Sequence, residues 1–203
     1  MILVVCALLP ELRHVAAREG VEIVQTGVGP VEAAVATARR LALGRYEAVI
    51  NAGIAGVFRG SGHVGDAAIV TSEWLADLGL EGGIAPNLPD GARFVDFERA
   101  SESLAAATKS LGFPAATGLT VAAVTTTDAT AERLRARYGA DVESMEGFAV
   151  LRAAAEAGVP ALEVRGISNY VGAREKSEWN FDAAARAAAR VLDAVLGRLR
   201  DAS

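Results

Sequence analysis

A carboxylate at Glu146, in Ser144-Met145-Glu146-Gly147, and an amide at Asn169, in Arg165-Gly166-Ile167-Ser168-Asn169, stand at the ends of two expected strands. Such a pair can bracket a nucleoside, because the carboxylate only accepts hydrogen bonds whereas the amide both donates and accepts. A third polar group, Glu11, follows the first apolar run, Ile2 to Leu9. Ligands of open α/β sheets bind outside the carboxyl ends of strands, so these groups converge if their strands are neighbours. Each also has a plainer reading. Glu146 suits a first-turn carboxylate favoured by a helix dipole, Glu11 a solvated surface acid, and Asn169 a turn residue ahead of Tyr170-Val171-Gly172.

The elements that must hold these residues show in the hydrophobic pattern. Asp141 to Ser144 reads as a short strand entering a helix from about Glu146 to Ala157, and Ala161 to Ser168 as a buried apolar strand. Val21 to Gln25, Ala48 to Ala52, Ala67 to Thr71 and Leu119 to Val124 are further strand segments. Helices are expected over Val31 to Leu43, with Pro30 at the opening, over Ala129 to Tyr138, and over Asp182 to Leu199, an Ala-rich stretch with arginines on its outer face. Strands alternating with amphipathic helices imply an α/β fold. No Pro/Gly/Ser-rich linker divides the chain, so one domain over residues 1–203 is expected. Leu78 to Arg99, rich in Gly, Pro and Asp, reads as a long loop serving as a lid or a subunit contact.

Composition narrows the partners. The chain is 52% hydrophobic with a net charge of −5 and shows no basic run or interleaving of aromatics with Lys or Arg. A nucleic-acid footprint is therefore missing. The single cysteine, Cys6, sits in the first apolar run and reads as a buried small hydrophobe. His14 and His63 are too isolated to suggest a metal site. Met1 to Leu9 lacks a basic leader and is too short to span a bilayer, which makes a cytoplasmic protein without membrane contact the expectation.

Glu11, Asn51-Ala52-Gly53-Ile54-Ala55-Gly56, Gly65-Asp66, Ser144-Met145-Glu146 and Arg165-Gly166-Ile167-Ser168-Asn169 resemble, in that order, the motifs of the nucleoside phosphorylase and nucleosidase superfamily. Within it, Val142-Glu143-Ser144-Met145-Glu146-Gly147-Phe148 and Arg165 to Tyr170 are similar to the futalosine hydrolases. The resemblance implies a three-layer α/β/α sandwich with a central mixed sheet, a homodimer or larger homo-oligomer, and no cofactor. It implies hydrolysis of the N-glycosidic bond of futalosine, giving hypoxanthine and dehypoxanthinyl futalosine in menaquinone biosynthesis. It also implies roles for individual residues. Glu146 accepts the ribose hydroxyls and stabilises positive charge developing on the sugar, Met145 packs on that sugar, and Glu11 activates the attacking water. Arg165 lies near the water or pairs with an unseen carboxylate. Asn169 donates to N7 or O6 of a 6-oxopurine, Phe181 lines the purine pocket, and Asp128 supports the base-binding loop or caps the following helix.

Departures from the family pattern sharpen the reading. Phosphorylases carry an arginine just before the glycine seen here as Gly53, whereas Asn51 and Ala52 offer no guanidinium to a phosphate dianion. Water is the nucleophile this implies. Gly27-Val28-Gly29 reads as a tight strand-to-helix turn in preference to a phosphate loop. Ile54 stands where nucleosidases often have a serine near the water, and Thr127-Asp128-Ala129-Thr130 lacks the family's stacking aromatic. Other readings remain: a methylthioadenosine or S-adenosylhomocysteine nucleosidase, a 6-oxopurine nucleoside phosphorylase, and a non-catalytic nucleoside-binding protein. Arg59, Arg174 and Lys176 are the cations on offer for a carboxyphenyl tail.

Overall fold

Unbroken aliphatic runs form strands that are buried on both faces. The computed structural model describes residues 1–80, 86–172 and 179–201. Its strands are β1 (Ile2–Cys6), β2 (Val21–Gln25), β3 (Ala48–Val57), β4 (Ala67–Leu75), β5 (Phe97–Arg99), β6 (Ala115–Thr120), β7 (Val142–Ser144) and β8 (Ala161–Tyr170). Its helices are α1 (Pro30–Leu43), α2 (Glu102–Thr108), α3 (Asp128–Tyr138), α4 (Gly147–Ala157) and α5 (Phe181–Arg200). No helix among the described residues is long and apolar enough to cross a membrane.

All the strands join one mixed sheet in the order β2-β1-β3-β7-β6-β4-β5, with β8 linking β3 to β4. Strands β3, β8, β4, β6 and β7 thereby close into a ring. β3 is its hub. One edge of β3 carries β1, parallel, along Ala48 to Asn51, and β7, antiparallel, at Gly56 and Val57. The other edge pairs with β8 from Val49 to Val57. On the first edge, Ala52 to Ala55 have no strand partner among the described residues. Strands β1, β7 and β8, which lead to the three polar groups, are not neighbours of one another; each pairs with β3 instead.

Alternation along β1 sorts the core into two faces. Leu3 and Val5 pack with Ala33 of α1 and Val150, Leu151 and Ala154 of α4. Val4 and Cys6 face Val191, Leu192 and Val195 of α5. Each of these large aliphatic side chains contributes about 1.5–3 kcal/mol on burial, and together they hold the helix, sheet and helix layers expected. Gly166 lets α5 rest directly on β8, because a Cβ there would stand 2.0 Å from the Ala184 carbonyl oxygen. The strand that carries Arg165 and Asn169 is thus braced from behind.

Some elements differ from the sequence reading. β6 spans Ala115–Thr120, earlier than the expected Leu119 to Val124, because its Ala, Thr and Gly lack a strong apolar signal. Its Gly118 is required: a Cβ would stand 1.8 Å from Glu73 Oε1. Within the expected loop, Phe97–Arg99 forms β5 on β4, where Phe97 meets Trp74 with ring centroids 4.4 Å apart. Residues 81–85 of that stretch lie outside the described residues. Helix α2 follows it and was not anticipated.

Candidate active site

The interrupted edge of β3 is where the site opens. After β1 the chain passes Ala7 and Leu8 into one 3-10 turn, Leu9–Leu12, started by Pro10. That turn brings Glu11 back against β3, where its Oε2 accepts the Ile54 N–H at 3.2 Å. This amide belongs to the segment that β1 and β7 leave open. Gly53 makes the approach feasible, since a Cβ there would stand 2.3 Å from Glu11 Oε2 and 2.7 Å from Arg165 Nη1. Burial raises the Glu11 carboxyl from its ordinary 4.5 to about 7, opposed by Arg165 and the Ile54 N–H and reinforced by Glu146. A base that titrates near neutrality is suited to taking a proton from water.

Glu146 follows β7 and Met145 and sits at the N-cap of α4. Its side chain, only 5% exposed, reaches to another helix, where Oε1 accepts the Gly29 N–H at 2.9 Å. Gly29, at φ 96°, is the N-cap of α1. The positive end of α1 therefore faces the Glu146 carboxylate, and the plainer reading, in which Glu146 serves its own helix, is replaced.

Asn169, 6% exposed, ends β8 on the other side of β3. Its Nδ2 donates to the Tyr170 carbonyl at 2.9 Å, and the Ser168 hydroxyl donates to Oδ1 at 2.8 Å. A carbonyl only accepts, so the amide orientation is fixed with NH₂ toward Tyr170. Nδ2 keeps a second hydrogen to offer, and Oδ1 a second lone pair.

Glu11, Glu146, Asn169, Met145 and Phe181 line one cleft, a concave, largely apolar place with a few convergent polar groups, as small-molecule sites are. Val28, Ile54, Val121, Val124 and Trp179 complete much of its apolar wall. Phe181 is 52% exposed and lies against Trp179, ring centroids 5.0 Å apart. Arg165 is placed differently from a wall residue. It is fully buried behind Gly53, with Nε donating to Glu163 Oε1 at 2.7 Å, Nη1 to the Ile54 carbonyl at 3.4 Å and Nη2 to Ser144 Oγ at 3.5 Å. The unseen carboxylate is Glu163.

Asp128 lies beside a neighbouring cleft with Phe58, Arg59, Arg135 and Val171. Its carboxylate abuts Gly172, where a Cβ would stand 2.4 Å from Oδ1. The cap of α3 is Thr127, whose Oγ1 accepts the Thr130 N–H at 3.2 Å. Asp128 thus braces the chain leaving β8. Arg59 lies over the Tyr170 ring at 5.1 Å. Arg174 and Lys176 fall outside the described residues. Cys6 is buried, and that burial, more than the nearby carboxylates, pushes its thiol up to about 12. His14 contacts Asp182 at 2.9 Å and His63 the Tyr170 hydroxyl at 3.2 Å.

Sequence reasoning missed Glu143, Glu163, Glu73 and the role of Gly29. Glu143 is buried in the cleft wall and accepts the Thr125 N–H at 3.0 Å and the Thr125 hydroxyl, which pins the segment carrying Val124. A signal was available. Glu143 and Glu163 interrupt strands otherwise buried on both faces, and a buried charge needs a partner or a purpose.

Comparisons with known proteins place the chain in a family. The sequence profile of the Phosphorylase superfamily matches residues 12–197. Futalosine hydrolase of Streptomyces coelicolor is 39% identical over 185 residues, covering 87% of this chain and 77% of that protein. Futalosine hydrolase of Thermus thermophilus is 36% identical over 183 residues, covering 87% and 81%. The solved structure of futalosine hydrolase from Helicobacter pylori is similar in fold, with a TM-score of 0.83 over 97% of each chain at 19% identity.

Proposed function

Because this chain belongs to the phosphorylase superfamily, we propose that its cleft hydrolyses the N-glycosidic bond of futalosine. The observation that carries this is one cleft in which Glu11 is anchored on the Ile54 N–H and Glu146 on the Gly29 N–H, with Glu143 tied to Thr125 in the wall and Asn169 beyond them. Glu146 accepts the ribose 2′- and 3′-hydroxyls, and its charge gains worth as positive charge develops on the sugar. Glu11 takes a proton from water as the water oxygen bonds C1′. The C1′–N bond breaks with its electrons going to the purine, where the Asn169 Nδ2 hydrogen is offered to N7 or O6. Met145 packs on the sugar and Phe181 beside the base. Arg165 holds the site from behind, and Asp128 braces the segment after β8.

Two features favour water over phosphate. Among the described residues the charged groups lining the cleft are all carboxylates, which repel a phosphate dianion. The helix N-terminus that could bind an anion, that of α1, already serves Glu146. Asn169 favours a 6-oxopurine, since an amide has no carboxyl proton to give N7. The products on this reading are hypoxanthine and dehypoxanthinyl futalosine, a step of menaquinone biosynthesis in the cytoplasm. No cofactor is needed, because acid–base groups and hydrogen-bond donors suffice. A homodimer or larger homo-oligomer of this one-domain chain is part of the same reading, supported by exposed Leu9, Val31 and Val35 next to the lining residues Leu8 and Val28.

The test is release of free hypoxanthine from futalosine in phosphate-free buffer, with no ribose 1-phosphate product when phosphate is added. Strict dependence on phosphate would refute the hydrolase.

A further inference from the structure

Behind the cleft, inside the ring of strands, Glu73 of β4 and Glu163 of β8 are both fully buried. Hydrogen bonds are donated into the pair from both ends. The Phe148 N–H donates to Thr120 Oγ1 at 2.7 Å, and the Thr120 hydroxyl, with its single proton, donates to Glu73 Oε2 at 2.8 Å. At the far end Arg165 Nε donates to Glu163 Oε1 at 2.7 Å. Glu73 Oε1 and Glu163 Oε2 are left over, buried and without a donor. Both press on Gly147, where a Cβ would stand 2.4 Å from the first and 2.5 Å from the second. Two ionised oxygens turned on each other in a dry interior repel. A proton between them satisfies both.

We propose that Glu73 is a neutral carboxylic acid whose Oε1–H donates to Glu163, and that this acid–carboxylate pair positions Arg165 and, through it, Glu11 and Glu146 in the cleft. The inference rests on the reading of Glu11 and Glu146 given above. Burial, then the charge of Glu163, holds the Glu73 carboxyl well above its ordinary range, against the pull of Thr120 and Arg165. The Arg165 guanidinium also faces Glu146 and Glu11, so four ionised carboxylates would leave a buried excess of negative charge that one cation cannot offset. Glu163, already paired with Arg165, is the ionised member. Through that pair Arg165 spans the two limbs of the site. Nη1 meets the Ile54 carbonyl, on the residue whose N–H holds Glu11, and Nη2 meets Ser144, which precedes Met145 and Glu146.

Glu73→Gln and Glu73→Leu in the full chain separate a neutral donor from a charge. The glutamine amide can donate to Glu163 and accept from Thr120, so kcat and KM for futalosine should stay within about threefold of the parent. The leucine cannot donate to Glu163, and kcat should fall about tenfold or more. Its kcat/KM profile should lose activity at a higher pH than the parent, because a slackened Arg165 holds the Glu11 carboxyl down less. Infrared spectra at alkaline pH, where Glu11 has ionised, should show a neutral carboxyl band in the parent that Glu73→Gln removes. Loss of activity in Glu73→Gln comparable to that in Glu73→Leu, parent-like kinetics in Glu73→Leu, or no such band would each overturn the proposal. The infrared measurement uses no substrate, so even a chain that left futalosine intact would reveal whether Glu73 carries the proton.

Discussion

Gly53→Ala places a methyl group where the Glu11 carboxylate and the Arg165 guanidinium meet. The added Cβ would stand 2.3 Å from Glu11 Oε2 and 2.7 Å from Arg165 Nη1, against 3.4 Å or more for an ordinary contact. One of the two must yield. Arg165 is fully buried and held by Glu163, Ile54 and Ser144, whereas the Glu11 carboxylate is held by the Ile54 N–H on a short turn. Glu11 therefore retreats by about 1 Å, and misplacing a reacting group by that much can cost about 100-fold in rate, roughly 2.7 kcal/mol. Stability should change less. The broken hydrogen bond costs about 1.5–3 kcal/mol, and replacing glycine by alanine in a strand returns about 0.5–1 kcal/mol. Steady-state release of hypoxanthine from futalosine, with thermal melting in parallel, reads both effects. The expected result is kcat down about 100-fold, KM nearly unchanged, and a modest drop in Tm. Parent-like kcat, or a rise in KM alone, would show that Glu11 is not the base beside Gly53.

Two further predictions concern charge and the base edge. The folded Glu11 carboxyl titrates at about 7 against an ordinary 4.5, so the native state binds an extra proton between those values, and the stability this contributes is lost as pH rises through about 7. Glu11→Gln should lower kcat about 100-fold and yet raise Tm relative to the parent above neutral pH, by relieving a burial cost of at most about 3 kcal/mol. A Tm difference that fails to grow from acidic to alkaline buffer would refute the buried base. Asn169→Asp would turn an oxygen toward the Tyr170 carbonyl that Nδ2 now satisfies. It should lower kcat/KM for the hypoxanthine substrate and improve the relative rate on its 6-amino analogue, and an unchanged ratio would remove Asn169 from base recognition.

Much of the fold was legible because several core strands are, or open on, short apolar runs, as in Ile2 to Cys6, Ala48 to Ile50 and Ala67 to Val70. Where small residues were demanded by neighbours, the signal failed. β6 carries Gly118 to clear Glu73, and β3 runs on through Gly53 and Gly56 because β8 pairs along it, so neither strand could be bounded by composition. The closed ring is a long-range property of β3 and β8 that local periodicity does not encode. In the site, Glu11, Glu146 and Asn169 were found and do share a cleft. Their anchors were not, since Gly29 lies far from Glu146 in sequence and a backbone N–H leaves no mark in residue type. Glu163 was overlooked because alternation explains an exposed acid in a strand, and Glu73 because the expected strand stopped at Thr71, short of it; here neither acid is exposed.

The open stretch of β3 between β1 and β7 sets a limit on how far this molecule can be made more robust. Sheets gain cohesion when edges are paired, and lengthening β1 or β7 along Ala52 to Ala55 looks like an obvious improvement. Any strand laid there would claim the Ile54 N–H and occupy the ground where Glu11 now stands. Cohesion and chemistry compete for the same few ångströms of backbone, so hardening of this fold belongs in the helix layers, away from that edge.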